Sequence, residues 1–142
     1  MIASIKTILK TLIQSAGFKV YEDFSKVDTL KLPSELLAFL SIKNIVCSRR
    51  VYSHDGVEYG TEVTGRAVIR LFGKRGKFDD FSVLEEKALM LLEKLGLSEK
   101  ILINSLERDE ISSNALLNRL ENQISLTFNM LIVEQIPTTQ EE

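Results

Sequence analysis

One cysteine, one histidine and two prolines are all that this 142-residue chain carries of the residues that most often staple, catalyse or break a fold. A lone Cys47 leaves no internal disulfide and no cysteine-rich metal cluster. It lies in an apolar-rich stretch that reads as strand, so a buried, inert thiol is expected rather than a nucleophile. The histidine, His54, stands beside Asp55 in the turn-like run Ser53-His54-Asp55-Gly56. No serine or cysteine is spaced to complete a triad with that pair, and a solvated turn is the expectation. One histidine without a second cluster of ligands makes no metal site. No run approaches the roughly 18 apolar residues that a membrane helix requires. The opening residues Met1-Ile2-Ala3-Ser4-Ile5-Lys6 lack the basic segment, long apolar core and cleavage site of a signal peptide. A dominant charge is missing too: 18 bases against 20 acids leave a net charge of −2, which argues against wholesale capture of DNA or an anionic membrane. The expectation is a protein that stays in the cytoplasm where it is made until something assembles it, with no catalytic residue, cofactor, metal or membrane contact.

What is present is enough for one ordinary globular core, at 44% hydrophobic and 27% charged residues. Ile2, Ile5, Ile8, Leu9, Leu12, Ile13 and Ala16 recur at helical spacing, with Gly17 placed as a C-cap. Phe18, Val20 and Phe24 make a short extended segment. Pro33 suits the first turn of a short helix over Ser34 to Leu40, made unusually apolar by Leu36, Leu37, Phe39 and Leu40. Ile42 to Tyr52 reads as a strand, and the Asp55-Gly56 pair as the turn of an antiparallel hairpin. The returning strand puts Val63, Gly65, Ala67, Ile69 and Leu71 on one face and Thr64, Arg66, Val68, Arg70 and Phe72 on the other. After the loop Gly73-Lys74-Arg75-Gly76-Lys77, Asp79 or Asp80 can cap a helix whose apolar positions are Phe81, Leu84, Ala88, Leu91, Leu92 and Leu95, ended by Gly96. Ile101 to Leu106 reads as a short strand. Ala115, Leu116, Leu117 and Leu120 suggest a helical turn, against which stand the poor helix formers Asn114, Asn118 and Asn122. From Asn122 to Val133 the alternation is cleanest, with Ile124, Leu126, Phe128, Met130 and Ile132 opposite Gln123, Ser125, Thr127 and Asn129. The fold expected is α+β, a mainly antiparallel four- to five-stranded sheet with helices packed against it. It is a single domain over residues 1–136, followed by a flexible acidic tail over 137–142.

Two apparent constellations dissolve on inspection. Asp79, Asp80, Glu85 and Glu86 could be paired carboxylates, but the two aspartates stand where a helix dipole favours acids. The glycine loop lacks the Gly-x-x-x-x-Gly-Lys-Ser/Thr spacing of a phosphate loop, and the aspartates just after it would repel phosphate. Charge distribution says more. Arg66, Arg70, Lys74, Arg75 and Lys77 occur with no acid between Val63 and Phe78, and Arg66 and Arg70 share a strand face. From Glu121 onward the chain holds Glu121, Glu134, Glu141 and Glu142 and no base. One basic and one acidic end fit head-to-tail association of copies, which closes into rings; equally, the arginines can be a solvated strand face that pairs locally.

The run Gly65-Arg66-Ala67-Val68-Ile69-Arg70-Leu71-Phe72-Gly73-Lys74 and the run Phe78-Asp79-Asp80-Phe81-Ser82-Val83-Leu84-Glu85-Glu86-Lys87 resemble phage and prophage tail-terminator (tail-completion) proteins. So do Leu106-Glu107-Arg108-Asp109, Leu116-Leu117-Asn118-Arg119-Leu120, the strand Ile124 to Phe128, and the first helix ending at Gly17 with Phe18-Lys19-Val20-Tyr21 behind it. The likeness spans about Ile2 to Val133. It implies a non-enzymatic virion protein, without cofactor, that assembles with itself into a ring, typically a hexamer. Such a ring caps the tail tube protein, stops its polymerisation and offers the joint to head–neck connector proteins, working in the host cytoplasm during assembly and then in the virion tail and neck. A head–tail connector with a related fold is the alternative reading, and a small intracellular ligand-binding α+β domain a third. Arg66, Arg70, Lys74, Arg75 and Lys77 would face a neighbouring subunit or the tube end, or line the lumen where DNA phosphates pass without sequence reading. Deleting Pro137 to Glu142 is expected to leave the melting temperature nearly unchanged; a large drop on calorimetry would show that the segment is docked.

Overall fold

The computed structural model describes residues 2–21, 36–52, 58–77 and 79–135, and there the alternating late segment becomes a central strand. Strand β6 (Arg119–Gln135) buries Ile124, Leu126 and Phe128 on one side, while Gln123, Ser125, Thr127 and Asn129 lie half-buried on the other. Strand β3 (Glu58–Gly73) runs antiparallel to it in unbroken register, from Glu58 opposite Gln135 to Gly73 opposite Leu120. Opposed residues share a face. Val63, Ala67, Ile69 and Leu71 therefore join the buried side, and Thr64, Arg66, Val68 and Arg70 the other. Gly65, opposite Phe128, has a specific reason to be glycine: a Cβ there would stand 2.7 Å from the tip of the Phe128 ring, which lies across the bare backbone.

Around this pair the sheet is ordered β1-β2-β3-β6-β4, with β1 at Lys19–Tyr21, β2 at Leu37–Tyr52 and β4 at Leu102–Arg108. A short β5 (Ser112–Asn114) pairs with the start of β6. Every pairing is antiparallel except β1 with β2. The α+β expectation stands, with a mixed sheet of six strands in place of four or five. The added strands are the two three-residue ones, too short to leave an alternation in the sequence. The chain between Tyr21 and Leu37 is long enough for the crossover that a parallel pair needs.

Both helices lie on the buried side. Helix α1 (Ile2–Ser15) contributes Ile5, Leu9 and Ile13, with Ala16 behind them. It ends as expected at Gly17, whose φ of +101° suits glycine and whose N–H donates to the Gln14 carbonyl at 3.0 Å. Helix α2 (Asp80–Gly96) buries Leu84, Ala88, Leu91 and Leu95. Asp79 occupies the N-cap without a side-chain bond; Asp80 instead reaches back, its Oδ2 accepting the Lys77 N–H at 2.7 Å. Phe81 falls outside the buried stripe and is exposed.

Three expectations are corrected. The helix foreseen over Ser34 to Leu40 is, in its described part, the start of β2. Leu37, Ala38, Phe39 and Leu40 are all buried, because this end of the sheet is covered on both faces, so the two-residue alternation that marks a strand is absent. Cys47 is exposed, not buried. It lies on β2 beyond Phe39, where β1 has ended and β2 has no outer neighbour among the described residues. The helical turn at Ala115 to Leu120 is instead the tight connection between β5 and β6, with Asn118 at φ +53° and its N–H on the Ala115 carbonyl. The His54 turn, Phe24, Pro33 and the 137–142 tail lie outside the described residues.

Phe128→Asp is expected to abolish cooperative folding, since it places an unpaired charge among Val63, Leu126 and the helices. Gly65→Ala, which displaces the ring, should cost about 1–3 kcal/mol in urea melts. Unchanged stability of Gly65→Ala would mean that the ring does not rest on that backbone.

Candidate interaction face

Among the described residues both helices lie on one side, and the opposite side of a sheet built on strands of 16 and 17 residues is left largely bare. One end of it is closed. Tyr21 stacks on Phe39 at 5.4 Å, and Phe39 meets Phe72 edge-on at 5.6 Å. Leu37 and Leu117 complete this small second core. Cations flank it: Lys19 Nζ lies 5.8 Å from the Tyr21 ring and the Arg70 guanidinium 5.3 Å from the Phe72 ring. Arg70 Nη2 also donates to both carboxylate oxygens of Glu121 at 3.1 Å. Asn114 Nδ2 donates to the same carboxylate at 2.9 Å, while its Oδ1 accepts the Leu117 N–H and holds the β5–β6 turn. Arg119, at the end of that turn, is buried, and its desolvation lowers its pKa from the usual arginine value. On the helix side of β6, buried Asn122 is satisfied by Arg108 Nε at 2.7 Å and the Asp109 carbonyl at 2.6 Å.

Beyond that cluster the bare face runs in rows across the strands. Ser41, Val68, Ser125 and Glu107 form one row, and Lys43, Arg66, Thr127 and Ser105 the next. Val46, Thr64, Asn129 and Leu102 follow, then Glu62 and Leu131. Ser105 and Thr127 share a hydrogen bond at 2.7 Å, and Asn104 Nδ2 donates to Asn129 Oδ1 at 2.8 Å. Lys43 and Arg66 are directly opposed, both exposed, a like-charge pair that costs the isolated chain some stability. A bulge between Lys43 and Val46, with Asn44 at φ +55°, sets this arrangement. The extra residue lets Ile42 and Ile45 both pack on the core side and returns Val46 to the bare side. Val46, Leu102 and Leu131 are more than half exposed, at 54%, 63% and 55%.

The five bases singled out in the sequence do not form one patch. Arg66 sits in the middle of the bare face, and Lys74 is about 26 Å farther along the chain direction at the usual strand rise. Between them, Arg70 is occupied by Glu121. Lys74, Arg75 and Lys77 are exposed at the start of α2. Lys74 and Lys77 line an open hollow of about 500 Å³ with Gly17, Leu36, Asp79, Asp80 and Val83, so acids answer bases there. Arg70 and Glu121 belong to opposite charge blocks of the sequence, yet lie one diagonal step apart on β3 and β6. Lys43 joins Arg66 only through the strand register, a relation that leaves no signal in the sequence.

Among the described residues no group of three or more His, Cys, Asp or Glu is placed to hold a metal ion, and no helix is long and apolar enough to cross a membrane. No protein-family model matches the chain, and no curated protein does either.

The Arg70–Glu121 pair is partly screened from water, its side chains 33% and 20% exposed. A double-mutant cycle with Arg70→Ala and Glu121→Ala should give a coupling of about 0.5–1 kcal/mol that shrinks with added salt. No coupling at low salt would mean that the two are not paired in solution.

Proposed function

We propose that this chain is a structural protein of a phage or phage-tail-like particle. It assembles with copies of itself into a ring, six-fold as in the tail terminators it resembles, which caps the tail tube, ends its growth and offers the joint to the head. The observation that carries the reading is the bare sheet face. It holds an opposed pair of cations and three large apolar side chains in water, at a cost to the lone subunit, as a surface does when it is meant to be covered. The stretches that carry the resemblance support it as well. Gly65–Lys74 runs along β3 into the loop, and the stretch from Phe81 continues it in α2. Leu106–Asp109, Leu116–Leu120 and Ile124–Phe128 follow in β4, the β5–β6 turn and β6; β6 pairs with β3, and β4 and β5 pair with β6. Most of the likeness thus falls on β3, α2 and the strands beyond β3, while the remainder, the first helix and Phe18 to Tyr21, includes β1 at the other edge of the sheet.

Electron microscopy of particles made when the gene carries an early stop codon in its native element tests the proposal. Tubes of uncontrolled, excessive length are the expected result. Tails of normal length that fail to join filled heads would transfer the role to a head–tail connector. Normal, functional particles would overturn the proposal.

A further inference from the structure

The outward side of α2 is the complement of the bare sheet face. Glu86, Leu89 and Glu93 lie along its exposed stripe, with Phe81 and Val83 toward its start, all of them exposed. No base stands three or four places from either glutamate, the spacing at which a helix would neutralise them itself. The stripe is therefore acidic and apolar. The row of Lys43 and Arg66 is the basic part of the sheet face: neither has an acidic partner among the described residues, Val46, Leu102 and Leu131 follow in the next rows, and the acids of the face stand apart from it, Glu107 one row before and Glu62 two rows beyond. The spacings agree. From the row of Arg66 to that of Leu131 is four residues of strand, about 13 Å; from Glu93 to Val83 is ten residues of helix, about 15 Å. With Glu93 over the Lys43–Arg66 pair, Leu89 falls about 6 Å farther on, one sheet row away, over Val46 and Thr64.

We infer that α2 of one copy docks on the bare face of the next, giving the sheet a second helix layer supplied in trans. The inference deepens the ring-forming reading above and rests on it. The two surfaces differ, so the contact is heterologous: each copy presents one unused face and one unused helix, and the chain of contacts closes as a ring or continues as a filament. A helix layer on each face is one of the stable ways to shield a sheet, and here a neighbour carries a helix whose acids answer the Lys43–Arg66 pair. The opposed Lys43–Arg66 pair, a burden in the free chain, becomes the anchor of the contact.

A charge exchange tests this. The double changes Lys43→Glu/Arg66→Glu and Glu86→Lys/Glu93→Lys both alter exposed side chains, and the first keeps a like-charge pair across the strands, so each variant should melt like the parent; Arg66→Gln and Glu93→Gln replace either variant that does not fold. Sedimentation velocity up to about 1 mM should show concentration-dependent association of the parent, weakened about tenfold or more in each variant. An equimolar mixture of the two variants should associate again, because the reversed face of one meets the reversed helix of the other and the unaltered pair meets in turn. A parent chain that remains monomeric throughout, variants that associate normally, or a mixture that gains nothing would each overturn the docking. Overlong tubes in the stop-codon experiment together with any of these results would discard this contact and keep the terminator role. Docking confirmed alongside normal tubes would do the reverse.

Discussion

The pairing of β3 with β6 is the constraint on which the rest of the molecule depends. All 16 residues of β3 are matched without a slip, from Glu58 at one end to Gly73 at the other. Side chains alternate across a sheet with period two, so a shift of one place would drive Arg66 and Arg70 into the core and expel Ala67, Ile69 and Leu71. The register is held by the side chains themselves. Phe128 needs the bare backbone of Gly65, and at the far end Leu131 needs that of Gly60, where a Cβ would come within 2.7 Å of it. Apolar burial on one face thus dictates which charges stand on the other.

Among the described residues, two helices cannot cover both faces of so long a sheet. They are spent on the side of Val63, Ala67, Ile69, Ile124, Leu126 and Phe128, and the described residues close the other side at one end, with Tyr21, Phe39, Phe72 and Leu117. There the chain uses local means: stacked rings, two cations over them, and a glutamate that gathers Arg70 and Asn114. Farther along it uses none. The hydroxyl and amide bonds of Ser105, Thr127, Asn104 and Asn129 satisfy polar groups without hiding apolar ones. What the subunit omits, a neighbour of matching charge can provide, and the proposed assembly follows from that economy of layers.

The parts of the fold legible in the sequence are those buried on one side only. β6 and β3 alternate because one face is wet, and α1 and α2 show helical spacing for the same reason. The start of β2 alternates in structure but not in hydrophobicity, since Leu37 and Phe39 enter one core while Ala38 and Leu40 enter the other; four apolar residues in a row then look helical. Cys47 shows the converse. Its apolar neighbours promise burial, but burial depends on an outer strand that stops at Tyr21. The site was legible by half. Arg66 could be placed on an exposed face from the alternation alone. Its opposition to Lys43 follows, counting from the hairpin, from two register shifts in β2 that leave no mark in hydrophobic pattern, and the choice for Arg70 between an interface and a local pair is open in the sequence because its partner, Glu121, lies 51 residues away.

The central claim is that assembly covers the bare face. Ser105 is exposed and lies in the row of Lys43 and Arg66, so Ser105→Cys in a Cys47→Ser background reports on it directly. Maleimide labelling, read by mass spectrometry on the free chain and on purified particles, would decide the matter. Fast labelling of the free chain and strong protection in the particle is the predicted result; equal labelling in both would contradict the account.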